Sequence, residues 1–211
     1  MTAPIFHRNI EQGSPEWFAL HVGRVTAGSF HRFMTSDFEP RKGEMFKSFV
    51  AEKVAEKWRG QLQQTGSSFA MEQGLILEEE VIPWYELEYD VELRRVGFIE
   101  SPDGRCGCSP DGMVADNWGL ELKCPLGKTH VGYLLAGTVP ADYVAQVHGS
   151  MFVTGAVRWD FVSYRRGFPQ LVVMVDRDEA IMHRIGETLA YFYEHFDAAL
   201  ARIKAISETK P

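Results

Sequence analysis

The sequence lacks the features of membrane and secreted proteins. It has no run of about 18 or more apolar residues, which a membrane-spanning helix requires. Its beginning has no apolar segment followed by a small-residue cleavage site, so we expect no signal peptide and a cytoplasmic protein. Cysteine is scarce, and its three copies, Cys106, Cys108 and Cys124, cannot form a closed set of disulfides. We therefore expect reduced thiols, as in a cytosol.

A zinc site is the alternative use of these cysteines. Together with His130 they supply ligand types that zinc accepts. The Cys106-x-Cys108 spacing, however, differs from the usual Cys-x₂₋₄-Cys pair of structural zinc sites. Buried small apolar side chains are the common role of unpaired cysteines, so the sequence favours that role here.

The sequence also lacks an excess of basic residues. It has 22 Lys and Arg against 29 Asp and Glu, a formal net charge of −7. That balance disfavours a protein that coats nucleic acid or anionic membrane through bulk positive charge. The distribution is uneven, because residues 71–122 carry thirteen acidic and only three basic side chains. The segments on either side carry a small basic excess, so the acidity is concentrated in one quarter of the chain.

The remaining composition is that of a globular protein, with 45% hydrophobic and 24% charged residues. No repeat, low-complexity tract or Pro/Gly-rich linker divides it, so we predict one domain over 1–211. Its N-terminal part, about 1–90, is predicted to be helical, and about 91–204 to form a sheet with flanking helices. Hydrophobic periodicity and capping residues predict the individual elements. Helices are expected from Ser14, from Thr26, and over 44–58, 71–89 with a kink at Pro83, 142–153 and 178–204; strands over 91–99, 105–109, 113–115, 119–124, 158–164 and 171–176.

This order of elements predicts an α/β or α+β protein with layers of helix and sheet. Within it, Glu121 and Lys123 alternate with leucines in the strand predicted over 119–124. Residues two apart share one face of a strand, so these two side chains project together, about 7 Å apart. The leucines then face the core.

Asp111 precedes this strand in a predicted hairpin. With the turn at 115–118, residue 112 pairs with 121 and Asp111 with Leu122, which brings Asp111 beside Glu121. Two carboxylates at this range repel each other unless a cation lies between them. Hard oxygen ligands suit Mg²⁺. The alternative is a surface hairpin with a solvated Glu121–Lys123 pair.

The residues around this hairpin resemble a known family. Cys-Ser-Pro-Asp-Gly at 108–112, followed by Gly-Leu-Glu-Leu-Lys-Cys-Pro at 119–125, resembles the core motif of the phage lambda exonuclease family. These are alkaline exonucleases of the viral recombinase type, within the PD-(D/E)XK nuclease superfamily. Further similar segments follow in the family's order: Trp17 with Gly23 and Thr26-Ala27, then Gly74 with Glu78, then 143–147. The resemblance implies a restriction-endonuclease-like fold, with a central mixed β-sheet flanked by helices.

The resemblance also implies the roles of the site residues. Asp111, Glu121 and the backbone carbonyl of Leu122 would ligate Mg²⁺, and Glu78 would hold a second ion, with Mn²⁺ as a substitute metal. Lys123 would orient and deprotonate the attacking water, which requires that nearby cations lower its pKa. Gln146 would form hydrogen bonds near Lys123, and Tyr143 lies on the same helical face as Gln146.

The sequence departs from the family at the pocket for the 5′-phosphate. Ser109 matches the family's serine, but His21 occupies the position of its arginine and Gly28 that of a second serine. Arg24 and Ser29 lie within one turn of those positions and could substitute for them. Arg24 suits bidentate phosphate binding. A half-charged His21 would bind phosphate less tightly as the pH rises.

The function that the resemblance implies is Mg²⁺-dependent 5′→3′ exonuclease activity. Such an enzyme degrades one strand of duplex DNA from its ends to mononucleotides and leaves a 3′ single strand for a phage annealing protein. A ring-shaped homotrimer around the DNA is expected by the same resemblance. Basic side chains of the flanking segments are candidates for duplex contacts, namely Arg24, Lys123, Arg165 and Arg166. The alternatives are an endonuclease or repair nuclease of the same fold, or a non-catalytic protein that binds DNA ends.

Overall fold

A computed structural model describes residues 3–62 and 69–209, except for the side chains of 69–76, 78 and 79. Within these residues the chain forms helices, one 3₁₀ helix and short strands. The helices are α1 (Pro15–His21), α2 (Glu44–Arg59), α3 (Phe69–Tyr89), α4 (Gly127–Ala136), α5 (Ala141–Thr154) and α6 (Glu179–Glu208), with the 3₁₀ helix at Ala27–Arg32. The strands are β1 (Ile5–His7), β2 (Val25–Thr26), β3 (Leu93–Arg94), β4 (Phe98–Glu100), β5 (Cys106–Cys108), β6 (Gly112–Val114), β7 (Trp118–Lys123), β8 (Arg158–Ser163) and β9 (Leu171–Asp176).

The strands form two sheets flanked by helices, which confirms the predicted mixed α/β fold. One sheet has the order β1-β4-β5-β2 and the other β3-β6-β7-β8-β9. The single strand predicted over 91–99 is therefore wrong, since β3 and β4 belong to different sheets. Gly97 lies between the two strands, where a Cβ would be only 1.9 Å from the carbonyl oxygen of Ile10. The chain passes too close to this backbone at Gly97 for any larger residue.

The capping signal predicted at Ser14 is confirmed. Its side chain accepts a hydrogen bond from the Trp17 N–H at 3.2 Å, with proline at the first position of α1. Helix α6 begins with a cap that was not predicted, since Asp178 accepts from the Ala180 N–H at 2.8 Å. The helix expected after Thr26 is a 3₁₀ helix, and α3 continues through Pro83.

Helix α4 was not predicted. Its ten residues bury only His130, so the helix has no apolar stripe that periodicity could detect. It ends in the left-handed conformation at Gly137, with φ of 63°. No helix of the described residues is long and apolar enough to cross a membrane.

Alternate residues of strand β7 face two different layers of the protein. Leu120 and Leu122 are buried against Val81 and Tyr85 of α3. Because side chains alternate along a strand, Glu121 and Lys123 face the opposite layer, which contains α5. The predicted division of this strand into an apolar and a charged face is therefore confirmed.

The predicted hairpin register is wrong by one residue. The observed pairs are Gly112 with Leu120, Met113 with Gly119 and Val114 with Trp118. The connection is thus one residue shorter than expected, and Ala115 adopts a left-handed conformation with φ of 50°. Asp111 lies one residue before this ladder, where its N–H donates to the Leu120 carbonyl and its carboxylate accepts from the Leu122 N–H. Asp111 therefore contacts the backbone of β7 on both sides of Glu121.

Candidate active site

The buried carboxylate of Glu121 lies at the centre of the candidate site. The residue is 2% exposed, and its Oε1 accepts hydrogen bonds from the Lys123 ammonium and from the Gln146 amide. The Gln146 Nε2 donates from α5 over 2.6 Å. A buried carboxylate requires such partners, because burial of an unpaired charge is costly. The structure therefore joins Lys123 and Gln146 at one oxygen of Glu121.

Asp111 lies at the open end of β6, beside the backbone of β7. Its Oδ2 accepts a hydrogen bond from the Leu122 N–H at 2.6 Å, and its own N–H donates to the Leu120 carbonyl at 3.1 Å. The carbonyl of the next residue, Lys123, accepts from the Tyr164 N–H and so points towards β8. Carbonyls of successive strand residues point in opposite directions, so the Leu122 carbonyl points to the side of Asp111.

These groups fit a hard divalent cation. Two carboxylates and one backbone carbonyl are brought to one end of β7, and such oxygen donors suit Mg²⁺ better than soft metals. Glu78 is in α3, but its side chain lies outside the described residues, so its predicted role stays a prediction. Among the described side chains, no group of three or more His, Cys, Asp or Glu is arranged to hold a metal ion. Any site here therefore depends on the carbonyl or on Glu78.

The electrostatics of Lys123 favour its charged form. Burial lowers the pKa of this amine, but the negative charges of Glu121 and Asp111 outweigh burial and raise the pKa above its ordinary value. The ammonium also lies 5.3 Å from the ring centre of Tyr143. In this arrangement Lys123 is a donor. The predicted lowering of its pKa requires cations at the two carboxylates, and it stays a prediction.

Aromatic side chains form a wall next to Lys123. Tyr143 stacks on Phe161 with ring centres 5.3 Å apart and meets Tyr133 edge-on at 6.3 Å. Burial, then the charge and hydrogen bond of Tyr143, raise the pKa of Tyr133 to about 12. Sequence reasoning missed Tyr133 because it missed α4. The glycines at 127, 132 and 137, spaced around this short segment, were the available signal.

The residues expected at the 5′-phosphate pocket collect around Phe98. The Trp17 Nε1 donates to the Ser109 hydroxyl at 2.8 Å, and the Trp17 ring lies 3.8 Å from that of His21. His21 in turn lies 4.7 Å from the Phe98 ring, over which the Arg24 guanidinium is placed at 5.5 Å. Trp17 and Phe98 thus connect Ser109, His21 and Arg24, and the role of the three residues in phosphate binding stays a prediction.

The hydrogen bonds of Arg24 are directed into the protein. Its guanidinium donates to the Glu100 carboxylate at 2.7 Å, to the Gly104 carbonyl at 2.9 Å and to the Leu20 carbonyl. The side chain is 19% exposed. Phosphate binding by Arg24 would therefore replace an existing ion pair with Glu100, and the role stays a prediction.

Ser29 and Gly28 lie at a different place, on the 3₁₀ helix. The Ser29 hydroxyl accepts from the Thr26 N–H at 3.1 Å and donates to the Thr26 carbonyl at 2.8 Å, so it caps its own helix. A Cβ at Gly28 would lie 3.8 Å from the Gln146 Nε2. Position 28 is therefore next to the Glu121 cluster, whereas the Ser29 hydroxyl is committed to the backbone.

His21 differs from its expected charge state. Burial lowers its pKa to about 4, with smaller contributions from Lys53 and Arg24, although the hydrogen bond from its Nδ1 to the Trp17 carbonyl opposes this. The expectation of a half-charged ring is wrong, since His21 is neutral at pH 7. A neutral imidazole adds no positive charge to the pocket.

This shift predicts a pH-dependent stability. Between pH 6.5 and pH 4, the unfolded chain binds a proton at His21 that the folded chain excludes, so stability falls as the pH falls. His21→Gln should reduce this loss of stability by about 2 kcal/mol. This is less than the full effect of the pKa shift, because the ring is partly exposed to solvent. Chemical denaturation from pH 7 to pH 4.5 measures it, with His31→Gln, at an exposed histidine, as the control. Equal slopes for the wild type and His21→Gln would contradict the assignment.

Two of the cysteines and His130 have structural surroundings. Cys106 and Cys108 are buried among the apolar side chains of the larger core cluster. His130 is fully buried and is bonded to Ser163 and to the Pro169 carbonyl. Cys106 and Cys108 thus have the buried apolar role that the sequence favours.

Comparisons with known proteins agree with this fold. A family model described as a YqaJ-like viral recombinase domain matches residues 16–157. The alkaline exonuclease LHK-Exo from Laribacter hongkongensis is 28% identical, with a TM-score of 0.82 over 92% of this chain and 98% of that one. Its complex with dAMP gives 29% identity and a TM-score of 0.84 over the same shares. A phage-related exonuclease from Haemophilus somnus shares the fold at 16% identity, with a TM-score of 0.65 over 85% of this chain and 96% of that one.

One partial match differs from these. A curated protein named glyceraldehyde-3-phosphate dehydrogenase, from Oncorhynchus mykiss, is 30% identical over 90 residues, which is 42% of this chain. The match spans about a quarter of that protein's length (26%). Dinucleotide-binding dehydrogenase domains have a mostly parallel, doubly wound sheet. Here β7–β8 and β2–β5 pair in parallel while the other named strand pairs of the described residues are antiparallel, so the topology gives no support to that activity.

Proposed function

Because the chain belongs to the YqaJ-like viral recombinase domain family, we propose that it is a Mg²⁺-dependent 5′→3′ exonuclease. In this proposal it degrades one strand of double-stranded DNA from an end and releases mononucleotides. The remaining 3′ single strand serves recombination by single-strand annealing. The likeness to alkaline exonucleases over nearly their whole length supports the nuclease activity. Polarity, metal and the role in recombination are inferred from the family resemblance.

The observation that carries the proposal is the cluster of Asp111, Glu121, Lys123 and Gln146. Two carboxylates, one of them buried, lie at one end of a strand with a lysine and an amide. The ammonium of Lys123 balances only one of the two negative charges, and a divalent cation would balance the other. The geometry therefore supports a cation site next to a proton-transferring side chain.

The residues of the chain have separate tasks in this mechanism. Asp111, Glu121 and the Leu122 carbonyl would hold Mg²⁺, with Glu78 for a second ion and Mn²⁺ as a substitute. The chemistry that Mg²⁺ would supply at these residues is polarisation of the scissile phosphate and stabilisation of the leaving 3′-oxygen. Lys123 orients the attacking water through Nζ and accepts its proton once the charges of the carboxylates are compensated. Gln146 holds the Glu121 carboxylate in place through its 2.6 Å hydrogen bond.

The proposed assembly is a homotrimeric ring with the DNA through its centre, which acts together with a phage single-strand annealing protein. The family resemblance supports both parts, and sedimentation of the purified protein tests the ring. A mass equal to that of one chain, measured at micromolar concentration, would contradict it.

The experiment that tests the proposed function uses the purified wild-type protein on two DNA forms. Linear 5′-phosphorylated duplex should be degraded to mononucleotides with Mg²⁺ and left intact with a chelator. Covalently closed circular duplex should resist, because it has no end. Cleavage of the closed circle would favour an endonuclease or repair nuclease of the same fold. DNA binding without Mg²⁺-dependent hydrolysis would indicate a non-catalytic protein that binds DNA ends.

Recognition of the 5′ end gives a further prediction. Ser109 and Arg24 are proposed to contact the terminal phosphate, and His21 is a neutral neighbour of both. Tyr143 is proposed as a DNA contact nearer Lys123. Ser29 has only its capping role. Arg24→Gln should remove any preference for 5′-phosphorylated over 5′-hydroxyl ends, because it removes the positive charge of this group. His21→Gln serves as the matched control and should keep the preference. Degradation rates on the two kinds of end measure it, and an unchanged preference in Arg24→Gln would exclude Arg24.

A further inference from the structure

The turn between β8 and β9 begins at the catalytic end of β7. Ser163, the last residue of β8, pairs with Lys123 on one side and with Leu171 of β9 on the other. The next residue, Tyr164, donates its N–H to the Lys123 carbonyl at 2.9 Å. Neighbouring strands lie about 4.8 Å apart, so residues 164–170 start within one strand spacing of Lys123. This turn therefore borders the candidate active site.

Helix α4 holds this turn on the catalytic face of the sheet. His130 is fully buried; its Nδ1 is 2.7 Å from the Ser163 hydroxyl and its Nε2 is 2.9 Å from the Pro169 carbonyl. A carbonyl can only accept, so Nε2 carries the hydrogen and Nδ1 accepts from Ser163. Ser163 and Lys123 are register partners and share one face, so α4 lies on the same side as the Lys123 side chain. The buried histidine thus fixes the turn beside the catalytic lysine.

The turn itself exposes a phenylalanine next to arginines. The Phe168 N–H donates to the Arg165 carbonyl at 3.1 Å, and Gly167 has φ of 84°, which favours glycine at this position. Phe168 is 41% exposed, and its ring lies 3.5 Å from the Cβ position of Gly127 at the start of α4. The outer atoms of the ring therefore contact the start of α4, and the ring also meets His130 edge-on with ring centres 5.8 Å apart, while the rest of the side chain meets solvent.

Residues near Phe168 in the sequence and at the start of α4 carry positive side chains. We use the name Phe168 platform for Leu126, Lys128, Arg165, Arg166 and Phe168. Arg165 and Lys128 form no ion pair with any described residue, whereas Arg166 is paired with Glu80 of α3. Leu126 is 69% exposed. The platform thus combines an exposed aromatic ring and an aliphatic side chain with unpaired positive charge, next to the catalytic lysine.

We propose that the Phe168 platform binds the single strand of DNA at the active site, with a base stacked on Phe168 and backbone phosphates on Arg165 and Lys128. This inference rests on the proposed function and names the contact that holds the unpaired strand. Aromatic stacking combined with cationic phosphate contacts is the usual way in which proteins hold single strands. Bases inside a duplex are already stacked on each other, so an exposed ring gains most from an unpaired base. An apolar protein partner fits less well, because it would bury Arg165 and Lys128 without acidic partners.

The test measures how tightly the protein binds a duplex with a 3′ single-stranded overhang and a blunt duplex. A chelator is present so that the DNA is not degraded. Phe168→Leu removes the stacking face but keeps an apolar contact on Gly127, and it should weaken overhang binding about tenfold. Phe168→Tyr keeps an aromatic ring and should bind the overhang as the wild type does. In both variants, binding of the blunt duplex should change less than threefold. Leu87→Ala, at a residue that is 84% exposed on α3, is the matched control. Equal melting temperatures for the wild type and Phe168→Leu confirm that the fold is kept.

The salt dependence of DNA binding tests the charged residues of the platform. Arg165→Gln should lower the slope of log affinity against log salt by about 0.7 for the overhang, the value for one phosphate contact on a single strand. Equal overhang binding by the wild type and Phe168→Leu, while the wild type degrades linear duplex, would overturn the platform and leave the proposed function standing. A change in oligomeric mass without a change in DNA binding would assign the surface to a protein contact instead. Failure of the wild type to degrade any DNA would contradict the proposed function separately.

Discussion

Asp111→Asn should lower the rate of Mg²⁺-dependent DNA degradation by at least about a thousand-fold, which corresponds to roughly 4 kcal/mol of transition-state stabilisation. The substitution keeps an oxygen that can accept the Leu122 N–H, so the hydrogen bond at 2.6 Å survives. What it removes is the negative charge of the Asp111 carboxylate. The Glu121 carboxylate, already bonded to the Lys123 ammonium, cannot alone supply the charge that a divalent cation requires. The measurement is the release of mononucleotides from linear duplex at saturating Mg²⁺.

Asp116→Asn is the matched control for this prediction. Asp116 lies in the same hairpin, at its turn, and forms an exposed ion pair with Arg8 at 2.9 Å. Exposed pairs contribute little to stability, so this variant should degrade DNA at a rate close to that of the wild type. Circular dichroism and melting of Asp111→Asn should match the wild type. Degradation by Asp111→Asn within tenfold of the wild-type rate would refute the assignment of Asp111 as a metal ligand.

Gly119→Ala should lower the free energy of unfolding by about 3 kcal/mol. A Cβ at position 119 would lie 2.2 Å from Cζ3 and 2.3 Å from Cε3 of Trp159. Trp159 is fully buried in the main core, so its ring has no free space into which to move. Either the ring or the backbone of β7 must shift, and β7 carries Glu121 and Lys123. The variant should therefore melt about 9 °C below the wild type.

Two variants make this prediction specific. Gly132→Ala changes an exposed glycine of α4 that has nothing within 4 Å of its Cβ position, and it should raise stability by about 0.5–1 kcal/mol. Trp159→Phe removes the outer ring atoms that meet position 119. The double variant Gly119→Ala with Trp159→Phe should be less destabilised than the two single effects added, by at least about 1 kcal/mol. Additive effects would show that the clash with Trp159 is not the cause.

The structure shows which partners the acidic side chains of the segment 71–122 have. Several acidic side chains of the segment 71–122 pair with arginines of the flanking segments rather than with a metal. The pairs are Asp116 with Arg8, Glu100 with Arg24, and Glu80 with Arg166. These partners lie 76 to 108 positions apart in the sequence. The acidic excess therefore marks where the chain folds back on its basic flanks as well as where the carboxylate site lies.

The candidate site could be predicted from the sequence to the extent that it depends on local geometry. Alternation along one strand places Glu121 and Lys123 on the same face whatever the rest of the fold does. The register of the β6–β7 hairpin was harder to predict. Ala115, in its turn, adopts a left-handed conformation that non-glycine residues rarely adopt. The neutral state of His21 was inaccessible as well, since it results from burial between Trp17 and Phe98, which come from distant parts of the chain.

By itself, the sequence determined the mixed α/β class, the two faces of β7 and the cap of α1. The two faces and the cap follow from interactions between residues a few positions apart, and the class follows from the order of such local elements. Only the tertiary structure decided the split into two sheets, the contact of Gln146 with Glu121, the ion pair of Arg24 and the support of the Phe168 turn by His130. Those features depend on which buried groups find partners across the fold, and no local pattern records such partners.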